Sequence, residues 1–355
     1  MTDDAISLLV VDDSALMRKV VSEFFKDTPD VKVVGTARNG LAALDKIGRT
    51  DPDVIILDLQ MPEMDGMAFL KERKKRGLSA PVIILSTLAQ KGARITMEAL
   101  ALGASDFIPK PTGSVTQTLN NTRAQLIQFV RIYGRRHKRS RGSKVSPSTP
   151  SRARQERQVA TRRQLRAIEV VAIGISTGGP NALREILPRI DKDLPVPVLM
   201  VQHMPKGFTG ELARSLDQGC RLSVKEARQG DIIAPGRILL APGDRHLEVA
   251  SKPLAKTIRL TDTVPVNGHR PSVDVLFASV AQTYRSRCMA IIMTGMGKDG
   301  AEQIGAIHGM GGLTIAQSAS SSVVYGMPRA AIERGVIHQV LPLAEIADAI
   351  NELVQ

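Results

Sequence analysis

Residues Val170–Pro180 read Val-Val-Ala-Ile-Gly-Ile-Ser-Thr-Gly-Gly-Pro. The unbroken apolar run fits a strand buried on both faces, and the Thr-Gly-Gly-Pro that follows fits a tight turn opening a helix. A strand that passes straight into a helix is the unit of a parallel sheet, so this stretch decides for an α/β fold. The pattern continues on both sides. Strands are expected at Glu169–Gly174, Val198–Gln202, Met289–Thr294, Leu313–Ala316 and Val336–Val340. Helices are expected near Pro180–Leu187, Phe208–Asp217, Ser272–Thr283, Ala301–Gly309 and Leu343–Leu353. Between Gly230 and Leu260, short apolar runs spaced by Pro and Gly predict antiparallel hairpins inserted into a doubly wound, mostly parallel sheet.

A second alternation occupies the first 133 residues, with strands at Ser7–Val11, Val31–Thr36, Val54–Leu57, Val82–Ser86 and Phe107–Pro109. Helical periods separate them at Ala15–Lys26, Leu41–Ile47, Ala68–Arg76 and Ala93–Leu102, so a five-stranded parallel sheet is expected. From Gly134 to Arg166 the periodicity is lost, and the segment is rich in Ser, Pro and basic residues. The chain therefore divides into a domain at 1–133, a flexible basic linker at 134–166 and a domain at 167–355.

The chain has 355 residues, 43% of them hydrophobic, and a net charge of +13. The linker holds twelve Lys and Arg against one acid, Glu156, so +11 of that charge sits on 33 residues and the two domains are not basic. It is expected to act as a solvated spacer, or to draw the protein toward acidic surfaces. Aromatic residues are 3% with no Trp, which leaves no stacking platforms for nucleic acid. Cys220 and Cys288 lie in no Cys-x-x-Cys motif and are expected to be buried and reduced. The acidic start, Thr2-Asp-Asp, and the lack of an ~18-residue apolar run predict a cytoplasmic protein that is not membrane-embedded.

The strand ends carry chemistry. Asp12 and Asp13 follow the first strand, Asp58 ends the third, Ser86 ends the fourth and Lys110 follows the fifth. Parallel strands bring these ends to one edge, where clustered carboxylates need a cation; Mg²⁺ suits oxygen donors including the Gln60 carbonyl. The motifs Val-Val-Asp12-Asp13, Ile-Leu-Asp58-Leu-Gln-Met-Pro-Glu-Met-Asp-Gly, Ser86-Thr and Phe107-Ile-Pro-Lys110-Pro together resemble a response-regulator receiver domain. That resemblance implies a flavodoxin-like (CheY-like) fold and phosphorylation of Asp58 by a histidine kinase. It further implies Mg²⁺ held by Asp12, Asp13, Asp58 and the Gln60 carbonyl, and a switch through Ser86, Phe107 and Lys110.

In the second half Ser176 stands at a strand-to-helix turn within Gly-x-Ser-x-Gly, which exposes a hydroxyl beside helix N-terminal amides. Gln202-His203-Met-Pro places a base at the end of the next strand, and Asp299 in Thr294-Gly-Met-Gly-Lys-Asp-Gly follows another. The three form a candidate Ser-His-Asp triad. Taken singly, Ser176 also reads as a helix N-cap and His203 as a satisfied strand-end residue. Gly295–Gly300 fits a dinucleotide-binding G-x-G-x-x-G, but Asp299 would put a negative charge in the pyrophosphate loop. No acid stands about twenty residues on to hold a ribose. The six histidines show no zinc-ligand spacing.

These motifs, with Ala241-Pro-Gly-Asp-Arg-His and Arg270-Pro-Ser-Val-Asp, resemble the CheB-type protein-glutamate methylesterases of bacterial chemotaxis from about residue 168 to 353. The resemblance implies that Ser176 attacks glutamate γ-methyl esters on methyl-accepting chemotaxis receptors, that His203 is the base, and that Asp299 orients it. The Met296 backbone N–H would be the oxyanion donor, no metal would serve the esterase reaction, and glutamine deamidation would run by the same chemistry. It also implies phosphorylation by the chemotaxis kinase CheA and docking of the receiver on the esterase domain until Asp58 is phosphorylated. The competing reading is a non-enzymatic regulator whose second domain only binds a partner.

Overall fold

The computed structural model describes residues 5–87, 90–110, 116–142 and 167–354, in two compact units. In the first, β1 (Ile6–Val11), β2 (Val31–Ala37), β3 (Val54–Asp58), β4 (Val82–Ser86) and β5 (Asp106–Pro109) form one parallel sheet in the order β2-β1-β3-β4-β5. The Val/Ile/Leu runs of β3 and β4 are buried at every position, as strands covered by helices on both faces must be. The helices are α1 (Ala15–Phe24), α2 (Gly40–Thr50), α3 (Gly66–Lys75), α4 (Gln90–Ala101) and α5 (Thr116–Gly142). Ser14, Asn39 and Asp65 cap the first three by accepting from the amides of Met17, Ala42 and Ala68. The strand order reverses between β1 and β3, which opens a crevice at their carboxyl ends.

One boundary expected from the sequence is corrected. Helix α5 continues through Gly134 and ends at Gly142, so the segment after residue 133 begins as part of the first unit. Its basic residues have partners there: Arg135 joins Arg131 on Asp30, Lys138 donates to the Ala5 carbonyl, and Arg141 pairs with Asp51. The His137 side chain is buried against Ser79, 3.1 Å away. Gly134 lies so close to Ile6 that a Cβ there would strike the isoleucine side chain. Residues 143–166 lie outside the described residues.

The second unit holds a seven-stranded parallel sheet in the order β14-β13-β12-β6-β7-β9-β8. The strands are β6 (Val170–Ile175), β7 (Val198–Gln202), β8 (Ser223–Glu226), β9 (Arg237–Leu240), β12 (Cys288–Ile292), β13 (Leu313–Gln317) and β14 (Gln339–Leu341). Helices α6 (Gly179–Ile186), α7 (Phe208–Asp217), α8 (Val273–Tyr284), α9 (Gln303–Gly309), α10 (Met327–Glu333) and α11 (Leu343–Leu353) cover it. Val273, Leu276, Phe277 and Val280 of α8 pack on Val170, Ala172 and Ala290 in the core.

Here too the expectation needs correction. Residues Ile238–Leu240 are not part of a hairpin: β9 joins the main sheet, parallel to both β7 and β8. Among the described strands, the antiparallel pair is β10 (His246–Ser251) with β11 (Lys256–Thr261), a separate two-stranded sheet. The last strand begins at Gln339 rather than Val336, because Gly335 turns the chain at φ 70° and the Val336 carbonyl is taken by the Thr314 hydroxyl. Cys288 is buried as expected, whereas Cys220 is half-buried; both are free thiols. No helix among the described residues is long and apolar enough to cross a membrane.

Candidate active site

The strand order of the second sheet reverses at β6, which has β7 on one side and β12 on the other. Ser176, immediately beyond β6, thus stands at the switch point, where ligands of open α/β sheets bind. Its amide donates to the Thr294 carbonyl beyond β12 (2.9 Å), and the His203 amide beyond β7 donates to the Ile175 carbonyl (3.1 Å). The side-chain amide of Gln202 donates to the carbonyls of Ser176 (2.9 Å) and His203 (3.0 Å). A Cβ on Gly295 would lie 2.8 Å from Ser176 Cβ, so the glycine lets the Gly295–Met296 backbone close over the serine. Ser176 is followed by Gly178 at φ 76° and the start of α6.

His203 Nε2 lies 2.7 Å from Asp299 Oδ2. A carboxylate can only accept, so Nε2 carries the proton and Nδ1 presents its lone pair. Among the described residues Nδ1 is buried without a hydrogen-bond partner. The ring nitrogens are thus exchanged relative to the serine-protease arrangement, in which Nδ1–H faces the carboxylate. The Ser176 and His203 side chains are not hydrogen-bonded to one another, a separation common in unliganded hydrolases.

Asp299 is 1% exposed and surrounded by donors. Besides His203, Oδ2 accepts from the Val273 amide (2.6 Å), and Oδ1 accepts from Ser272 Oγ (2.7 Å) and Asn267 Nδ2 (2.9 Å). Val273 opens α8, so the carboxylate also sits at the positive end of that helix. Burial works to raise its pKa, but the bond and charge of His203 and the bonds from Asn267 and Ser272 outweigh it. The carboxyl is held well below the usual range. His269 stacks on His203 with centroids 3.8 Å apart and planes 9° from parallel. Burial, then the neighbouring His203 ring, pushes the His269 pKa down to about 4 against the opposing pull of Asp299, so His269 is neutral at pH 7.

At the first unit's crevice the oxygens of Asp12, Asp13 and Asp58 come within 4.8 Å of one another, the only such acidic or metal-ligating group among the described residues. Lys110 Nζ pairs with Asp58 (2.7 Å) and Asp12 (3.0 Å). Burial raises the Asp58 pKa; Lys110 opposes this and Asp12 adds to it, with a net upward shift. Burial would lower the Lys110 pKa, but both carboxylates reverse the sign. The Ser86 hydroxyl is not at Asp58: it bonds Thr96 Oγ1 on α4 (2.5 Å) and the Thr87 carbonyl (3.3 Å). Phe107 is buried.

The sequence puts Ser176, His203 and Asp299 beyond three strand ends, and the structure pairs His203 with Asp299 and ties the Ser176 and His203 backbones to neighbouring strand ends; the sequence assigns no role to Gln202, Asn267, His269 or Ser272. The Asn267-Gly268 pair was visible as a two-residue hairpin signal; its link to Asp299 was not.

The CheB methylesterase family model matches residues 171–350, and the response regulator receiver domain model matches residues 8–119. The protein-glutamate methylesterase/protein-glutamine glutaminase of Treponema denticola is 49% identical over 362 residues, covering 98% of this chain and 97% of that protein. The Treponema pallidum protein of the same name is 44% identical over 388 residues, covering 98% and 96%. The crystal structure of the Thermotoga maritima CheB methylesterase catalytic domain is 41% identical. It aligns with 53% of this chain and all of its own, at a TM-score of 0.52.

Proposed function

The chain belongs to the CheB methylesterase family and is a protein-glutamate methylesterase and protein-glutamine glutaminase, and we propose that Ser176, His203 and Asp299 carry out its chemistry as a triad. The observation that carries this is the 2.7 Å bond of His203 Nε2 to Asp299, which leaves Nδ1 as the buried, unpaired base.

Ser176 Oγ attacks the γ-carbonyl carbon while Nδ1 takes its proton. The negative charge that develops on the carbonyl oxygen is met by the Met296 backbone N–H and the amides opening α6. Collapse of the tetrahedral intermediate expels methanol, or ammonia from glutamine, with the proton returned from Nδ1. Water then attacks the acyl-serine and gives a proton to Nδ1, and collapse of this second intermediate returns that proton to Ser176 Oγ as glutamate is released. Asp299 stays ionised throughout and stabilises the imidazolium. Single-turnover quenching should trap an acyl adduct on the peptide containing Ser176; an adduct elsewhere refutes the assignment.

The substrates in this reading are methyl-accepting chemotaxis receptors, and the phosphodonor is the histidine kinase CheA. Asp58 accepts the phosphoryl group. The clustered oxygens of Asp12, Asp13 and Asp58 fit Mg²⁺, which these residues and the Gln60 carbonyl would hold and which would neutralise phosphoryl charge. Lys110 holds Asp58 in place, and Ser86 must leave Thr96 to reach a phosphorylated Asp58, with Phe107 responding. The unphosphorylated receiver restrains the esterase. Asp58→Asn should take no label from a small phosphodonor with Mg²⁺; wild-type labelling refutes the site.

A further inference from the structure

Val266 and His269 exchange both backbone hydrogen bonds, 3.1 and 2.9 Å, around Asn267 at φ 51° and Gly268 at φ 78°. This is the two-residue hairpin for which Asn-Gly is suited, since both central residues need positive φ. The turn sends two side chains into the triad. The Asn267 amide spends one N–H on Asp299 Oδ1 (2.9 Å) and the other on Asp274 Oδ2 (2.7 Å). His269, two residues on, covers a face of the catalytic imidazole.

Asp274 is a second buried carboxylate, in the first turn of α8, whose Oδ1 accepts from the Gln303 amide (2.9 Å). Two buried acids side by side repel, and a carboxylate rotates freely about its last bond unless both oxygens are held. One neutral amide between them serves both needs: it lies between the two carboxylates, and it joins Ser272 Oγ (2.7 Å) and the Asp274 amide (3.3 Å) in holding Oδ1 of Asp299, while Oδ2 faces His203.

Resting on the triad reading above, we propose that Asn267 is a positioning residue for the reaction. Its amide clamps Asp299 against Asp274, and the turn it forms lays His269 on the plane of His203. Neither residue hydrogen-bonds His203 Nδ1, the atom that moves the proton. A stacked neutral ring at 3.8 Å keeps the imidazole from tilting while it passes the proton between Ser176 and the leaving group.

The test uses the full-length protein, methylated receptor membranes and rates per active site, titrated with a serine-reactive phosphonate. Asn267→Gly keeps the positive φ and removes only the amide; kcat should fall about ten- to hundredfold with apparent KM within twofold. The low-field proton resonance of the His203–Asp299 bond should broaden or shift. Asn267→Asp keeps the shape but sets a third acid against two, and should lose that resonance even if turnover is too low to measure. His269→Ala should lower kcat, and His269→Phe, which keeps a flat ring without a proton to transfer, should restore it to within threefold of wild type. The inference is overturned if Asn267→Gly keeps kcat per titrated site and the resonance, or if His269→Phe is as impaired as His269→Ala. Failure of the triad reading is separate: Ser176→Ala would then remain active.

Discussion

The Gln202 side-chain amide donates to the Ser176 carbonyl at 2.9 Å and so ties the ends of β6 and β7 together inside the protein. Because the same nitrogen also donates to the His203 carbonyl, Ser176 and His203 share one anchor. Gln202→Glu keeps the shape and removes both donors. A lost buried hydrogen bond costs about 1–3 kcal/mol. Turnover should fall at least about tenfold, and thermal unfolding of the second unit should come earlier by a few degrees. Wild-type kcat in Gln202→Glu would show that the shared anchor does not matter.

The Asp299 pKa is depressed in the folded state, so its ionised form stabilises the fold above the ordinary carboxylate pKa of about 3.9. That contribution is lost as pH falls below this value toward the depressed one. Asp299→Asn should therefore be less stable than wild type by a constant margin between pH 7 and pH 5, with the margin narrowing at pH 3. Urea unfolding at the three pH values measures it; a margin that widens in acid would reverse the sign.

The extension of α5 to Gly142 makes a prediction about the first unit alone. A receiver ending at Tyr133 loses the Gly134 contact with Ile6, the buried His137 and the Lys138 bond to Ala5. Exposed ion pairs such as Arg135–Asp30 add little, so packing carries most of the effect. It should melt roughly 5 °C or more below a receiver ending at Gly142. Equal melting temperatures would return the boundary to residue 133.

The restraint proposed for the unphosphorylated receiver predicts that a fragment from Ala167 to Gln355 is faster than the unphosphorylated whole by about 5- to 150-fold, the range of a ~1–3 kcal/mol coupling. It should also ignore phosphodonor. Methanol release by both proteins, with and without phosphodonor, decides this; a fragment no faster than the whole rules out simple restraint.

Much of this was legible in the sequence because parallel strands announce themselves. The Val-Ile-Ile-Leu and Val-Val-Ala-Ile runs are wholly buried, and the polar residue that ends or follows each run must emerge at the carboxyl edge. Asp58, Ser176 and His203 follow from that rule. What stayed hidden depends on long-range partners. Asp30 and Asp51, which hold the end of α5, lie 105 and 90 residues before Arg135 and Arg141, so a folded helix end reads as linker. Asn267 reaches Asp299 across 32 residues from a hairpin tip, and no spacing rule joins them. Residues 238–240 carry the same apolar run whether they pair parallel or antiparallel, and only the tertiary position of β8 and β7 decides.

Methanol release from methylated receptor membranes by wild type and Ser176→Ala tests the central claim most directly. Removing the nucleophile disables His203 and Asp299 with it, so turnover should fall at least about 10³-fold, and adding His203→Ala should cost little more. Retention of more than about a tenth of wild-type turnover by Ser176→Ala would contradict covalent catalysis at this serine.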